Sequence, residues 1–461
     1  MDKRTTGMIA AVLAGVGTCF CGGIFLLMGT LFTGLSLPFL GAGLLTRETA
    51  DATVLPSPTP TPNPGRATAV LGAPQSTPSP YEIYYEEAEA IERQVQLLRG
   101  LEPVFPISCS FVTMEDFQML LEQTPPALSL TEVDEVTFQA LGLNDTETAG
   151  SLDEEVAVDV LLAAYDEQEP GRCTVLFQED QTGWQADYAR SYARTLIRQH
   201  YLDITETECT LFLPEYDTCL AERALLEGDV FLLTRQWQRQ FGLPEWTEPV
   251  LIEHGQPDTF LSNMASFPFL YGYNYVQQTY LEEGWAGVDQ LYSDPANTTQ
   301  QILHPDARIS QDPEQLEPLE DISAELGDGW KLVNQGALGE WLIHLFLDTA
   351  PTDEDTLETA GGWETDRFQV YQNSSSGETI LIWAAQWKNV PAVYTARRTI
   401  REFAKQLFAD VDIVSQDEFV VESSPAVWIE RENLQTLMIL SPGQDLMNLA
   451  RGELSLPLRS Q

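Results

Sequence analysis

Residues 187–204 read DYARSYARTLIRQHYLDI, and this stretch predicts a long helix. Arg190, Arg194 and Arg198 recur at every fourth position, so they share one face of that helix. Two interpretations of the face stay open, because helical spacing alone does not fix which face is buried. The arginines either pair with buried carboxylates or form a solvent-facing stripe that balances an acidic surface.

A second motif, ALLEGD, occupies positions 224–229 within another predicted helix, 220–242. Zinc peptidases of the gluzincin type hold their metal with two histidines four positions apart on one helix and a glutamate on a later helix. A glutamate beside the first histidine acts as general base on the metal-bound water. The chain has two helices in this order, but the first carries arginines where such a site needs histidines.

The chain resembles a family of bacterial predicted metallopeptidases whose zinc helix reads approximately HEYTHALQDQHYDL. Matching positions are Leu196, the run Gln199-His200-Tyr201, and Ala224, Glu227, Gly228 and Asp229, which align with the family's A-x-x-EGD. Further matches are FPFLYGYNYV (267–276), GWAGVDQLYSDPANTTQQILHP (284–305), LGEWL (338–342) and GGWETDRFQVY (361–371), so the resemblance spans roughly residues 90–405. It implies a zinc-metallopeptidase-like body, and the pattern of predicted helices and strands indicates a helix-dominated α+β fold.

The departure from the family is informative. The alignment places Arg190 and Arg194 at the two zinc histidines and Ser191 at the general-base glutamate. Arginine cannot ligate zinc, because its guanidinium stays protonated and offers no lone pair. Of the implied site, Glu227 alone survives. A buried, unpaired carboxylate is costly, so we hypothesise that Arg190 and Arg194 occupy the vacant site and pair with it.

The four histidines do not rebuild a zinc site. His200, His254, His304 and His344 show no HxxxH or HxH spacing, which favours surface or structural roles for each. No cofactor is therefore expected, and zinc is expected only under the alternative of an atypical metal site.

The N-terminal segment is uncharged from Thr5 to Thr46. Residues 7–30 are long enough for a transmembrane helix, and Lys3 and Arg4 before it predict an N-terminus inside and a body outside. Residues 31–45 extend this span, form a second membrane segment or lie at the interface. A cleaved signal peptide and a lipobox at Cys19 are the competing interpretations.

Composition divides the rest of the chain. The predicted units are a membrane anchor (1–48), a Pro/Ser/Thr-rich linker (49–80), a helical metallopeptidase-like domain (81–310) and an α+β C-terminal part packed on it (311–461). Predicted strands in the last unit include RFQVYQ and TILIWAAQW as a hairpin, followed by short antiparallel strands near the end.

Charge limits the partners. The 24 basic and 70 acidic residues give a net charge of -46, which disfavours nucleic acid. The predicted partners are a lipid bilayer, through residues 7–30, and a peptide or protein ligand.

The cysteines separate in the same way. Cys19 and Cys21 lie in the apolar segment, whereas Cys109, Cys173, Cys209 and Cys219 lie in the body. An even number in an oxidising compartment predicts disulfides, with Cys209–Cys219 preferred and Cys109–Cys173 following by elimination. The sequence leaves three pairings open.

Two further patterns resemble binding sites, but a purely structural role is favoured for each. TDEDTLE (352–358) looks like a calcium loop but lacks the glycine and the terminal glutamate spacing of an EF-hand, which favours an exposed acidic loop. The aromatic series from Phe267 to Tyr275 either lines a peptide or glycan groove or, more commonly for such density, packs in the core.

Together these patterns predict a membrane-anchored, extracytoplasmic pseudo-metallopeptidase that binds or scaffolds at the cell surface. The alternatives are an active zinc metallopeptidase with an atypical site and a structural envelope protein without a ligand.

Overall fold

The structure is a computed structural model. It describes residues 82–123, 132–142, 154–177, 183–201, 216–241, 260–305, 316–349, 355–407, 418–421 and 426–454, all within the compact unit Ser76–Gln461.

The first helices and two short strands form the N-terminal half of this unit. In chain order they are α1 (Glu82–Arg99), β1 (Ser108–Val112), α2 (Met114–Gln123), α3 (Glu132–Ala140), α4 (Glu154–Glu167), β2 (Arg172–Leu176), α5 (Trp184–His200), α6 (Tyr216–Phe241), α7 (Phe260–Ser293) and α8 (Thr299–Leu303). The long helix α7 is interrupted at Gly284, whose φ of 68° is not helical.

The C-terminal half is built on a sheet. Its elements are α9 (Ser323–Leu326), β3 (Trp330–Gly336), α10 (Gly339–Asp348), α11 (Thr356–Gly361), β4 (Trp363–Asn373), β5 (Thr379–Trp387), α12 (Val390–Leu407), β6 (Glu418–Val421), β7 (Ala426–Glu432), β8 (Gln435–Ser441) and α13 (Gln444–Glu453). Strands β3 to β8 form a six-stranded sheet in the order β3-β4-β5-β8-β7-β6, with every neighbouring pair antiparallel.

The sheet is covered on both faces, which explains why its central strands are continuous apolar runs. Along β5, Leu381 and Trp383 pack into a core with helices α10 and α12, whereas Ile380 and Ile382 pack on the opposite face with α13. The alternation follows from the two-residue repeat of a strand.

Helices α6 and α7 pack closely against each other where α6 carries the ALLEGD motif. A Cβ at Gly228 would overlap the backbone carbonyl of Gly272, and a Cβ at Gly272 would overlap the carbonyl of Ala224. Only glycine therefore fits at these two positions.

The predicted fold class is wrong. It expected a helix-dominated body preceded by a transmembrane helix, but the described residues form a mixed body of helices and an antiparallel sheet. Short apolar runs such as those of β7 and β8 do not reveal how large a sheet they build, because their partners are set by the fold.

Among the helices of the described residues, none has the length and apolar character that a membrane span requires. Residues 7–30, the linker 49–80 and the predicted domain boundary at 310 lie outside the described residues.

Candidate functional site

The arginine face of α5 points into the protein. The side chains of Arg190 and Arg194 are 13% and 2% exposed, and Arg198 is also buried. The solvent-facing interpretation is therefore wrong. Helix α5 lies between α1, α4 and α6, so this face meets carboxyl and carbonyl groups instead of water.

Arg194 forms a two-bond ion pair with Glu227 on α6. Its Nε donates to Oε1 and its Nη2 donates to Oε2, both at 2.8 Å. Burial alone lowers the pKa of the guanidinium, but the charge and hydrogen bonds of Glu227 outweigh this, and the pKa of Arg194 stands above its ordinary value. A pair with this geometry is rigid and charge-assisted.

Arg190 has a different partner. Its Nη1 donates to Oδ1 of Asp159 on α4 at 3.1 Å, and its guanidinium lies 5.9 Å from the ring centre of Phe269. Of the two arginines that the sequence hypothesis places on Glu227, Arg194 makes the contact and Arg190 turns toward α4. Ser191 is buried between them.

Arg198, the third arginine of this face, binds backbone carbonyls at the C-terminal end of α4. Arg198 donates to the carbonyls of Asp166 and Glu167 at 3.3 and 3.2 Å, and burial lowers its pKa. The carboxylate of Glu167 accepts from Arg223 of α6 at 3.2 Å. Helices α4, α5 and α6 are thus joined by arginines and acidic residues that are partly or fully buried.

Asp229, the last residue of the EGD motif, belongs to a separate ion pair. Because it lies two positions after Glu227, it points to another side of α6. Both its oxygens accept from Arg99 of α1, at 3.0 to 3.2 Å, and Tyr292 donates to it at 3.1 Å. Arg99 also contacts Asp289 at 2.7 Å. Burial raises the pKa of Asp229, and Arg99 opposes that rise.

The QHY run of α5 holds the segment that follows α1. Gln199 accepts from the backbone N–H groups of Val104 and Phe105, and His200 bonds the carbonyl of Glu102 at 2.7 Å. Tyr201 donates to Asp289 at 2.7 Å. Leu196 is fully buried. These matching positions have structural roles.

The remaining histidines are dispersed. Nε2 of His304 lies 2.7 Å from Oε1 of Glu340, and Nδ1 of His344 lies 3.0 Å from the hydroxyl of Thr356. Burial lowers the pKa of His344. His254 lies outside the described residues. Over the described ranges, no group of three or more His, Cys, Asp or Glu side chains is arranged to hold a metal ion.

A disulfide joins the strands of the small parallel sheet. Cys109 on β1 and Cys173 on β2 are direct register partners and are bonded to each other. Cys219 is also disulfide-bonded. Cys209, Cys19 and Cys21 lie outside the described residues.

The aromatic series is mainly core. Phe267, Phe269 and Tyr273 are buried, whereas Tyr271 and Tyr275 are partly buried against the hydrophobic core.

In the acidic stretch 352–358, Asp355 caps α11 by accepting from the N–H of Glu358, and residues 352–354 lie outside the described residues.

One polar group was not predicted from the sequence. Three buried carboxyl groups from three elements meet where the helices contact the sheet: Asp217 on α6, Glu340 on α10 and Asp366 on β4. We call them the carboxyl junction. A Cβ on Gly339, whose φ is 78°, would overlap the Asp217 carboxylate, so the backbone of α10 lies directly against it.

The three carboxyl groups receive different numbers of hydrogen bonds. Four donors bond Asp366: the N–H groups of Leu338 and Gly339 and the indoles of Trp363 and Trp383. Asp217 accepts from the N–H and hydroxyl of Thr299. Glu340 bonds His304 through Oε1, while its buried Oε2 has no hydrogen-bond partner in the described part of the chain. The matching stretches LGEWL and GGWETDRFQVY contain Glu340 and Asp366, but nothing in their local spacing indicates that these residues meet Asp217.

The sheet half is similar to a known family of domains. Residues 330–450 match a domain of unknown function, DUF8575. The match begins at the first residue of β3 and ends within α13, so it covers Asp366 and Glu340 but neither α5 nor α6. No curated protein and no solved structure matches the chain significantly.

Proposed function

We propose that this chain is a pseudo-metallopeptidase, a non-catalytic protein that binds or scaffolds other proteins outside the cytoplasm. The observation that supports this is the bond pair between Arg194 and Glu227. Glu227 is the residue that the family resemblance assigns as a zinc ligand, and both its oxygens are used by a guanidinium. A divalent cation at this place would lie beside a fixed, buried positive charge, which is strongly unfavourable.

The disulfides support the proposed compartment. Cys109–Cys173 and the bonded Cys219 are typical of proteins that fold in an oxidising environment. The net charge of -46 favours cationic partners, so we propose a basic peptide or protein segment as the ligand.

The metal test uses the full chain and its variants. After incubation with zinc and removal of unbound metal, we expect elemental analysis to find far less than one zinc per chain, and no cleavage of unfolded casein. The triple variant Arg190→His, Ser191→Glu, Arg194→His supplies the missing ligand types and is the gain-of-metal control. Stoichiometric zinc in the natural chain, lost in Glu227→Gln, would overturn the proposal and restore the active-peptidase alternative.

Binding is tested separately on an array of immobilised peptides of basic, neutral and acidic composition. Retention on basic peptides that persists at physiological salt supports a binding role. Retention on no peptide class favours the structural envelope protein instead.

A further inference from the structure

The carboxyl junction brings more negative charge into the interior than its contacts neutralise. Asp217, Glu340 and Asp366 are buried, and they influence one another electrostatically. Glu340 is contacted by His304, whose side chain is 40% exposed. Buried like charges cannot all stay ionised without a large energetic cost.

The unpartnered oxygen of Glu340 is independent evidence that the junction is incompletely satisfied. Glu340 is fully buried, yet its Oε2 has no donor within the described residues. A buried carboxylate oxygen without a donor costs free energy unless the charge is compensated nearby. Burial raises the pKa of Asp366, and its four hydrogen-bond donors oppose that rise.

We propose that the carboxyl junction is a proton-operated clasp, which holds α6, α8 and α10 together when Asp217 carries a proton and loosens when Asp217 releases that proton to water. The neutral carboxyl of Asp217 then becomes a buried anion beside the carboxyl groups of Glu340 and Asp366.

The surroundings of the clasp support this assignment. Asp217 faces Asp366 and Glu340, and Glu340 in turn faces His304 and, one turn along α10, His344. Tyr216, next to Asp217, faces Asp134 of α3 and Arg223 of α6. From α7, the ring of Tyr271 packs on Trp341, and α11 presents the backbone of Gly361 to Glu340.

The sign of the pH dependence follows from Asp217. Burial raises its pKa to about 7, well above the ordinary value of an aspartate, although the hydrogen bonds from Thr299 lower it. Stability from this group is therefore complete at low pH and is lost as the pH rises through about 7.

The test compares urea unfolding of the full chain at pH 5.5 and pH 8.0. Linkage through Asp217 alone predicts that the unfolding equilibrium constant of the natural protein is about 30-fold larger at pH 8.0. Asp217→Asn mimics the protonated acid and keeps an acceptor for Thr299, so we expect it to remove most of this change. Glu453→Gln, at an exposed position of α13, should leave the change intact.

Hydrogen exchange of the natural protein gives a second readout that needs no variant. The N–H groups of Thr299, Leu338 and Gly339 donate to the junction, and the N–H of Trp341 donates to the hydroxyl of Thr299, which itself bonds Asp217. After correction for the intrinsic effect of pH, we expect their protection to fall at least about tenfold between pH 5.5 and 8.0. An unchanged protection, or the same pH dependence of unfolding in Asp217→Asn as in the natural chain, would overturn the clasp.

Discussion

Arg194 and Glu227 are bonded by two hydrogen bonds of equal length, 2.8 Å, across neighbouring helices. The guanidinium joins α5 and α6 with fixed geometry, and it brings a single positive charge to a single carboxylate. Under the proposed function, this pair takes over the mechanical role that zinc would have between the same two helices of an active relative.

The first prediction concerns this pair. Arg194→Met leaves Glu227 buried without a partner, and we expect the free energy of unfolding to fall by about 3–5 kcal/mol. Arg194→Met with Glu227→Met should lose much less than the sum of the two single variants, because neither charge is then left alone. Urea unfolding of the four proteins measures the coupling.

A matched control for this cycle lies on α1. Arg93 contacts Glu89 one turn away, with both side chains about 70% exposed. Arg93→Met should change the free energy of unfolding by less than about 1 kcal/mol. Additive losses at Arg194 and Glu227 would show that the two residues do not act as a pair.

The second prediction separates the two carboxylates that meet Arg99. Asp229 is fully buried, whereas the side chain of Asp289 is 46% exposed. We expect Asp229→Asn to cost about 3 kcal/mol of unfolding free energy, because it leaves the buried guanidinium with one exposed partner. Asp289→Asn should cost no more than about 1 kcal/mol, because water screens that contact. Equal costs measured by chemical unfolding would contradict this ranking.

The third prediction tests the close approach of α6 and α7. Gly272→Ala places a methyl group against the carbonyl of Ala224, which forces the helices apart. We expect a loss of about 1–3 kcal/mol in the free energy of unfolding. The control is Gly452→Ala on α13, where an added Cβ meets nothing within 4 Å. It should be neutral or slightly stabilising, and a similar loss in both variants would refute the steric account.

Much of the secondary structure is predictable because the signals are local. The apolar row of Ile91, Val95 and Leu98 and the glycine at 100 predict a helix over 81–100, and α1 indeed stops before Gly100, whose φ is 75°. The hairpin of β4 and β5 follows from two β-rich runs around NSSSGE. Val393, Ala396, Ile400 and Phe403 face the core from α12, as the apolar periodicity of that segment indicates.

The candidate site is less predictable because it depends on tertiary contacts. The spacing of the α5 arginines places them on one face, but it does not say that Asp159 instead of Glu227 receives Arg190. Asp217 lies more than a hundred positions before Glu340 and Asp366, so no window of sequence contains the carboxyl junction.

The bond between Cys109 and Cys173 encloses a long stretch of chain, with a sequence separation of 64. A single backbone cleavage anywhere between these two cysteines would therefore leave both fragments covalently attached. Such a nicked molecule would migrate as one intact species on a denaturing gel, and it would fall into two pieces only once a reductant is added.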